Sequence, residues 1–502
     1  MPTILWAGLL ISGPDWEPHT NYAVCVDGAR ITAVGRRNEL VARYPDARQF
    51  GDERLLLMPG LVNSHDHGRG QSALASGYSD DLLEAWLPAL QTVTGADPYL
   101  LSLYESLRLL RAGVTSTTHN HIAQTPERML AECEQAIQGY RAAGIRVAIQ
   151  PTYADQSVPV YGAPEPFLDS LPAGVRLRLQ QLRRPSPHSM VDYLAICSHL
   201  YEKYHDRSTH RVHVQAGPLA GPWCSDDLFL AACDWAQARR TRVHSALLTT
   251  RYQHLYAQRR WGRSYIRHLA EIGGLSPALT LAHMVWADAE DYALLGARGV
   301  GVVHCPSSNL RLHSGALALP ALLAAGLPLG IGLDGQGLDD DQDLLRELRL
   351  AWTLANGPGA HAPTVAPPAL LHMGTAGGAA VTFGPEVPLG VVAPGALADL
   401  VLLDWHAIRD LWASPHVAID QLLLRRAARQ HVRDVMVNGE WVVRDGRATR
   451  VDEPQVRAAL LAQLERKESR SAEQLALARQ LAPYLRRYYA TWEAEAARAT
   501  AG

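Results

Sequence analysis

From Met58 onward, apolar runs of strand length recur along the chain, separated by stretches long enough for a helix: "LMPGLVNSH", "GVTSTTHNH", "IRVAIQPT", "RVHVQAGP", "TRVHSALL", "LTLAHMVW", "VGVVHCPSSN" and "LPLGIGLDG". Apolar strands alternating with helices predict a parallel sheet covered on both faces. Eight repeats of this kind predict an α/β fold, a closed (β/α)8 TIM barrel over residues 58–385. Helix-like stretches such as "DPYLLSLYESLRLLRAG" and "ERMLAECEQAIQGYRAAG" end in glycine, as helix stops should.

Outside that span the pattern changes. Residues 1–57 and 386–449 alternate apolar and polar positions with frequent turns, as in "YAVCVDGARITAVG" and "VRDVMVNGEWVVRDGRA". Both segments predict antiparallel β-structure, and neither supplies enough strands alone, so they are expected to meet as one small composite β-sandwich domain. Residues 450–502 are rich in Ala, Leu, Arg and Glu and predict a helical extension broken or kinked at Pro483, its apolar stripe a packing face.

Two apolar segments need separate treatment. The start, "MPTILWAGLLISG", lacks a basic leader and meets turn residues quickly, so it predicts a first strand and no secretion signal. The uncharged run from Gly315 to Leu333 approaches membrane-spanning length but carries two prolines and four glycines. A short helix around Ala321 to Ala325, a stop at Gly326 and a buried strand from Pro328 to Leu333 account for it better than a bilayer span.

Composition narrows the partners. The 502 residues carry 47 basic against 50 acidic side chains, a net charge of -3, so no polycationic surface calls for nucleic acid. A small-molecule partner is the expectation. The six cysteines are widely spaced with no CxxC pair, which fits a reduced, cytoplasmic protein.

The polar residues concentrate at the ends of the strand-like runs, where a barrel assembles its catalytic mouth. In "MPGLVNSHDHGRG", an extended chain turns His65 and His67 the same way and Asp66 the other, so two metal ligands can come from one strand end. Alone, this HxH reads equally well as a polar turn. His244, His283 and Asp334 also fall at strand ends, those of runs five, six and eight. Other readings stay open for each: His283 as a buried histidine bonded to backbone, and Asp334 as a helix cap, a task better suited to Asp339, Asp340 and Asp341. His304, His119 and His121 are candidates for lining the pocket, and Trp86 is either a pocket or a packing residue.

Taken together, "PGLVNSHDH", "GVTSTTH", "AHMVWAD", "HCPSSNLRLHSG" and "GLDG", followed by "GVVAPGALADLVLLD" and "VMVNGEWVVRDG", resemble the amidohydrolase superfamily in its cytosine deaminase, guanine deaminase and triazine hydrolase branch, over roughly residues 1–450. The resemblance implies one divalent metal ion, zinc or iron, held by His65, His67, a strand-five histidine (His244) and Asp334. It also implies that Asp334 moves a proton, that His283 orients the nucleophilic water, that Trp86 lies near the pocket, and that a homodimer could form; His119 and His304 are expected as further substrate contacts from their strand-end positions.

The pattern breaks at strand five. The family places a glutamate three residues after its strand-five histidine, to protonate the substrate; here the strand reads "RVHSALLTTRYQ". If His244 is the ligand, the glutamate position holds Leu247; in the register following "LLTTRYQ", Ala246 takes the histidine position and Thr249 the glutamate position. Either way the acid is missing, a loss that typically costs about 10²- to 10⁴-fold in rate. Tyr252, His119, His121, His304 and His313 are candidate replacement donors. The leading expectation is a metal-dependent hydrolase of a C–N bond in a small nitrogen heterocycle or cyclic amidine or amide. The alternatives are a non-hydrolytic enzyme on the same fold and an inactive small-molecule binder. Residues 154–192 are expected to shape the pocket.

Overall fold

The computed structural model describes residues 1–502 except 14–15, 91–94, 157–158, 183–185, 336 and 502, and describes the backbone alone at 88–90, 181–182, 467–471, 473–474 and 499–501. All eight predicted runs contribute parallel strands: Leu61–Asn63, Val114–His121, Arg146–Tyr153, Val212–Val214 with Gly217–Pro218, Val243–Leu247, Leu279–His283, Gly301–His304 and Leu329–Ile331. Pairing runs without a break through the first four and through the last four. Parallel bridges from Ala216 to Val243 and from Ala220 to Ala246 join the two halves. On the other side, Ser64 N–H donates to Ile331 O at 2.8 Å and Asp334 N–H to His65 O at 2.9 Å, so backbone hydrogen bonds close the ring. The closure puts His65 beside Asp334, residues 269 positions apart in sequence, without any long connection crossing the mouth.

A second sheet of nine strands is built from both ends of the chain, running Arg447–Ala448, Glu440–Arg444, Val432–Val437, Leu400–Asp404, Arg48–Pro59, Thr3–Ile11, Tyr22–Asp27 and Arg30–Arg36, with Pro18–His19 on Thr3–Ile11. Period-two alternation sorts its side chains: Ile4, Cys25 and Ala33 pack on one face, and Leu5, Val24 and Val26 on the other. The expected antiparallel pairing holds except for Thr3–Ile11 against Arg48–Pro59, which is parallel. The helix Arg37–Arg43 is the crossover that permits it, since parallel neighbours cannot be joined by a hairpin. The chain leaves this sheet at Pro59, which pairs with Leu400, and enters the barrel at Leu61 across Gly60.

Three expectations are corrected. Residues 453–501 form one continuous helix with Pro483 inside it, so the break expected there does not occur. An internal proline costs about 3 kcal/mol, but Leu481, Leu485, Tyr489 and Trp492 flank it and bury in a cluster with Val160, Tyr161 and Phe167. At about 1.5–3 kcal/mol per buried large side chain, packing outweighs the proline. The described part of the 154–192 segment packs against the terminal helix through Val160, Tyr161, Phe167 and Leu171 and lines no part of the cavity described below; it shapes the cavity from behind, where Tyr161 meets Trp223 and accepts from Gln253 Nε2 at 3.4 Å. Finally, the cap of the helix Leu344–Ala355 is Asp343, whose Oδ1 accepts from Leu345 and Arg346 N–H, and not Asp339, Asp340 or Asp341. The run from Gly315 to Leu333 folds as the helix Leu319–Ala324 and the strand Leu329–Ile331, and among the described residues no helix is long and apolar enough to cross a membrane.

Candidate metal centre

The first strand ends at Asn63, and the chain stays extended long enough for His65 and His67 to project together. Their Nε2 atoms lie 3.3 and 3.1 Å from Asp334 Oδ1. Two atoms at about 2.1 Å from one tetrahedral ion are about 3.4 Å apart, so these spacings suit ligands sharing a cation. Among the described residues, His65, His67 and Asp334 form the group of three whose ligand atoms lie within 4.8 Å of one another. Asp66 turns away as the alternation requires: its Oδ2 accepts from Asn63 Nδ2 at 2.6 Å and its Oδ1 from His67 N–H at 2.8 Å.

The chemical state of the group also fits a cation. Burial lowers the His65 imidazole to about 4, keeping it neutral and able to donate a lone pair. Burial pushes the Asp334 carboxyl up, but His65 and His67 beside it more than offset this and hold it well below the usual carboxylate range. His65 Nε2 is buried and makes no hydrogen bond, a costly arrangement unless something electrophilic meets it.

His283 closes the site from strand six. Its Nε2 lies 4.0 Å from Asp334 Oδ2 and its Nδ1 3.0 Å from Asn309 Oδ1. Since Asn309 Oδ1 can only accept, Nδ1 carries the proton and Nε2 faces the site as an acceptor. Ser308 Oγ donates to Asp334 Oδ2 at 2.6 Å. His283 and Asp334 both sit in the left-handed region, at φ 75° and 55°, a strain of order 1–3 kcal/mol each that non-glycine residues keep where the surroundings impose it.

Strand five differs. Alternation along Val243–Leu247 turns His244 and Ala246 inward and Leu247 outward into the core. Ala246 and Thr249 line the cavity above the metal-ligand group; His244 and Leu247 do not. This is the arrangement of the second register, with alanine and threonine where the pattern calls for histidine and glutamate. His244 sits one layer deeper, its Nε2 2.7 Å from His65 Nδ1, the two rings stacked at 5.0 Å. Burial, reinforced by the neighbouring His65, holds its imidazole well below the ordinary value.

The cavity over the group is small, about 70 Å³. Leu83, Trp86, Leu87, Ile122, Leu219, Trp223 and Leu312 make it apolar, while Arg69, Asn120, Gln253, His283 and Asp334 supply polar points. Trp86 thus lines it. His119 and His304, expected as substrate contacts, stand behind the wall: His119 bonds to Tyr140 Oη at 3.0 Å and to His121 Nδ1 at 3.2 Å, and His304 is buried without a cavity face. His121 is tied to Glu132 at 3.3 Å. Of the other candidate donors, Tyr252 donates to Glu493 of the terminal helix at 2.9 Å, and His313 is exposed.

Sequence reasoning overlooked Arg69, Gln253 and Glu84. Arg69 was legible as the charged residue between the glycines of "HGRG"; Gln253 and Glu84 carried no signal beyond polarity. Glu84, on the same helix Leu83–Leu90 as Trp86 but outside the cavity lining, accepts from Thr250 Oγ1, and burial pushes its carboxyl up to about 7.

Residues 56–442 match the amidohydrolase family, and residues 23–47 match an imidazolonepropionase-like composite domain of bacteria. The chain belongs to the amidohydrolase family. Among relatives in that family, the 8-oxoguanine deaminase of Pseudomonas aeruginosa is 30% identical over 449 residues, covering 85% of this chain and 91% of that protein. The 5'-deoxyadenosine deaminase of Methanosarcina barkeri is 27% identical over 90% of this chain and 94% of its own. This amidohydrolase also superposes, with a TM-score of 0.78, on an adenosine deaminase from Xanthomonas campestris solved with bound zinc, at 24% identity over 94% of this chain and 98% of that one. An atrazine chlorohydrolase from Arthrobacter aurescens complexed with zinc has the same TM-score at 19% identity, over 92% and 100%.

Proposed function

We propose that this amidohydrolase is a metal-dependent hydrolase acting on a C–N bond of a small nitrogen heterocycle or cyclic amidine or amide. The observation that carries the reading is the convergence of His65 and His67 Nε2 on Asp334 Oδ1 at the floor of an apolar cavity, with His283 beside them. In this reading His65, His67 and Asp334 hold one divalent ion, zinc by analogy with the zinc-bound structures, and His244 Nε2 and Asn120 Nδ2, at 2.7 and 3.0 Å from His65 Nδ1, position the His65 ring. A bound ion there supplies Lewis acidity, bringing the pKa of a water down toward about 7.

The chain's own side chains do the rest. The Asp334 carboxylate, steadied by Ser308, is placed to take a proton from the attacking water and return it to the leaving nitrogen. His283 Nε2 accepts a hydrogen bond and so orients either that water or a ring N–H of the substrate. Trp86 and the leucines exclude bulk water and present flat apolar walls to a ring. No carboxyl reaches the cavity from strand five, so the substrate must carry a carbon electrophilic enough to be attacked without an acid from that side. Six free thiols, five of them buried, support a cytoplasmic setting.

Metal analysis of freshly purified protein, followed by ammonia release or ring opening across amino- and oxo-substituted heterocycles before and after chelation, tests this. Near-stoichiometric zinc or iron and chelator-sensitive turnover with solvent ¹⁸O in the product are expected. Full activity without metal, or product formed without solvent oxygen, rejects it.

A further inference from the structure

We propose that the substrate of this site carries a carboxylate, and that Arg69 is the residue that recognises it; the inference rests on reading the cavity as the substrate site. Arg69 lines the cavity two residues after His67. Among the described residues no carboxylate lies within ion-pair distance of its guanidinium and no hydrogen bond engages it. The carboxylates nearby face other groups: Asp66 is held by Asn63 and the His67 amide, Asp334 by His65, His67 and Ser308, and Glu105 Oε2 by the Gly70 amide at 2.8 Å, its Oε1 being buried without a partner. A partly buried guanidinium with five donors and no acceptor is an arrangement that a ligand completes.

The loop is built to hold Arg69 there. Gly68 and Gly70 are both left-handed, at φ 62° and 67°. A Cβ on Gly68 would fall 2.3 Å from the His119 ring, and one on Gly70 2.7 Å from Leu101 O. Two glycines with neither room nor backbone freedom for another residue turn the chain sharply on each side of Arg69. Arg108 Nη1 then donates to Gly70 O at 3.3 Å, and Glu105 takes the Gly70 amide, so the loop is fixed by the helix Pro98–Arg111.

The indole of Trp86, which lines the same cavity, backs the guanidinium. Arg69 Cζ lies 5.5 Å from the Trp86 ring centroid, a cation–π placement that engages the face of the indole and leaves the guanidinium edge available. Arginine's planar fork matches the two oxygens of a carboxylate, and the apolar walls accept the ring that bears it.

The test is equilibrium binding of benzoate and its neutral isostere benzamide to the full-length protein, as purified and after chelation. Benzoate is expected to bind about tenfold to a hundredfold tighter than benzamide in both forms, the scale of a charged hydrogen-bonded pair. Arg69→Met should abolish the preference and Arg69→Lys retain part of it, with thermal melting of both variants showing that the fold persists. Equal affinities, or a preference that survives Arg69→Met, overturn the proposal. A preference that disappears on chelation yet persists in Arg69→Met also overturns it, because the carboxylate would then be seated on the metal. Since binding is read in metal-free protein, a benzoate preference without any turnover leaves the carboxylate site standing and removes the hydrolase.

Discussion

Two stretches of the barrel rim face the same cavity and carry opposite chemistry. At the seam of the first and eighth strands, His65, His67 and Asp334 bring two imidazole nitrogens within 3.3 Å of one carboxylate oxygen. At the end of the fifth strand, the matching rim positions hold Ala246 and Thr249. Strand five is the more regular of the two: Val243–Leu247 pairs residue for residue with Leu279–His283, whereas the first strand's pairing shifts register between Leu61 and Val62 and Asp334 is left-handed. The barrel therefore fixes where a side chain can stand, and the residue there decides whether it can ligate or donate. Here the site has three groups that could share a metal ion on one side and an apolar wall without a ligand or an acid on the other.

The largest effect should come from breaking the seam. Asp334→Ala removes the oxygen shared by both imidazoles, and metal measured by elemental analysis is expected to fall from near one ion per chain to background, with turnover lost alongside. Retained metal in this variant would mean that the ion is held elsewhere. The next effect sharpens the contrast by rebuilding strand five. Ala246→His with Thr249→Glu adds a nitrogen and an acid at the positions facing the cavity. Deamination of an aromatic amine that needs ring protonation should rise by about 10²- to 10⁴-fold, the worth of a general acid. No gain from the pair, in protein that binds metal, would show that the wall at strand five does not limit the chemistry.

The seam was legible in the sequence because its residues are short-range or terminal to strongly patterned strands: "NSHDH" and "GLDG" announce themselves by charge at the end of apolar runs. Strand five was legible only as a choice between two registers, since a period of two cannot say which inward residue stands at the rim and which a layer below. That depends on how far the barrel strands are staggered, a long-range property. His119 and His304 misled for the same reason: both end strands, yet one lies under Gly68 and the other faces the core. The unbroken terminal helix could not be foreseen because its proline is outweighed by aromatic packing against residues about 320 positions away, such as Tyr161 against Tyr489.

His244→Ala addresses the layer between the two regions. As a partner of His65 Nδ1 and not a ligand, His244 should cost about 10- to 100-fold in metal affinity when removed, measured by competition with a chromophoric chelator. His244→Gln, whose amide can donate to or accept from Nδ1, should recover part of it. Loss of metal as complete as in Asp334→Ala would instead make His244 a direct ligand and restore the first register.

The smallest effect concerns what lies behind the inert wall. Glu84 accepts from Thr250, next to Thr249, and burial raises its carboxyl from about 4.5 to about 7. Below about pH 4.5 it is protonated both folded and unfolded, and its burial carries no ionisation penalty. As pH climbs from 4.5 to 7 the unfolded chain gives up the proton first, so stability falls; above 7 the loss is complete, at most about 3 kcal/mol. Glu84→Gln keeps an oxygen for Thr250 and cannot ionise. Its melting temperature should track the parent's near pH 5 and exceed it by a few degrees near pH 8, since about 1 kcal/mol moves a chain of this size by only a degree or so. A gap that is constant with pH would mean that Glu84 is ionised throughout. The wall of strand five would then conceal a carboxylate and not a neutral acid, and the rebuilt Thr249→Glu would face like-charge repulsion from one layer down.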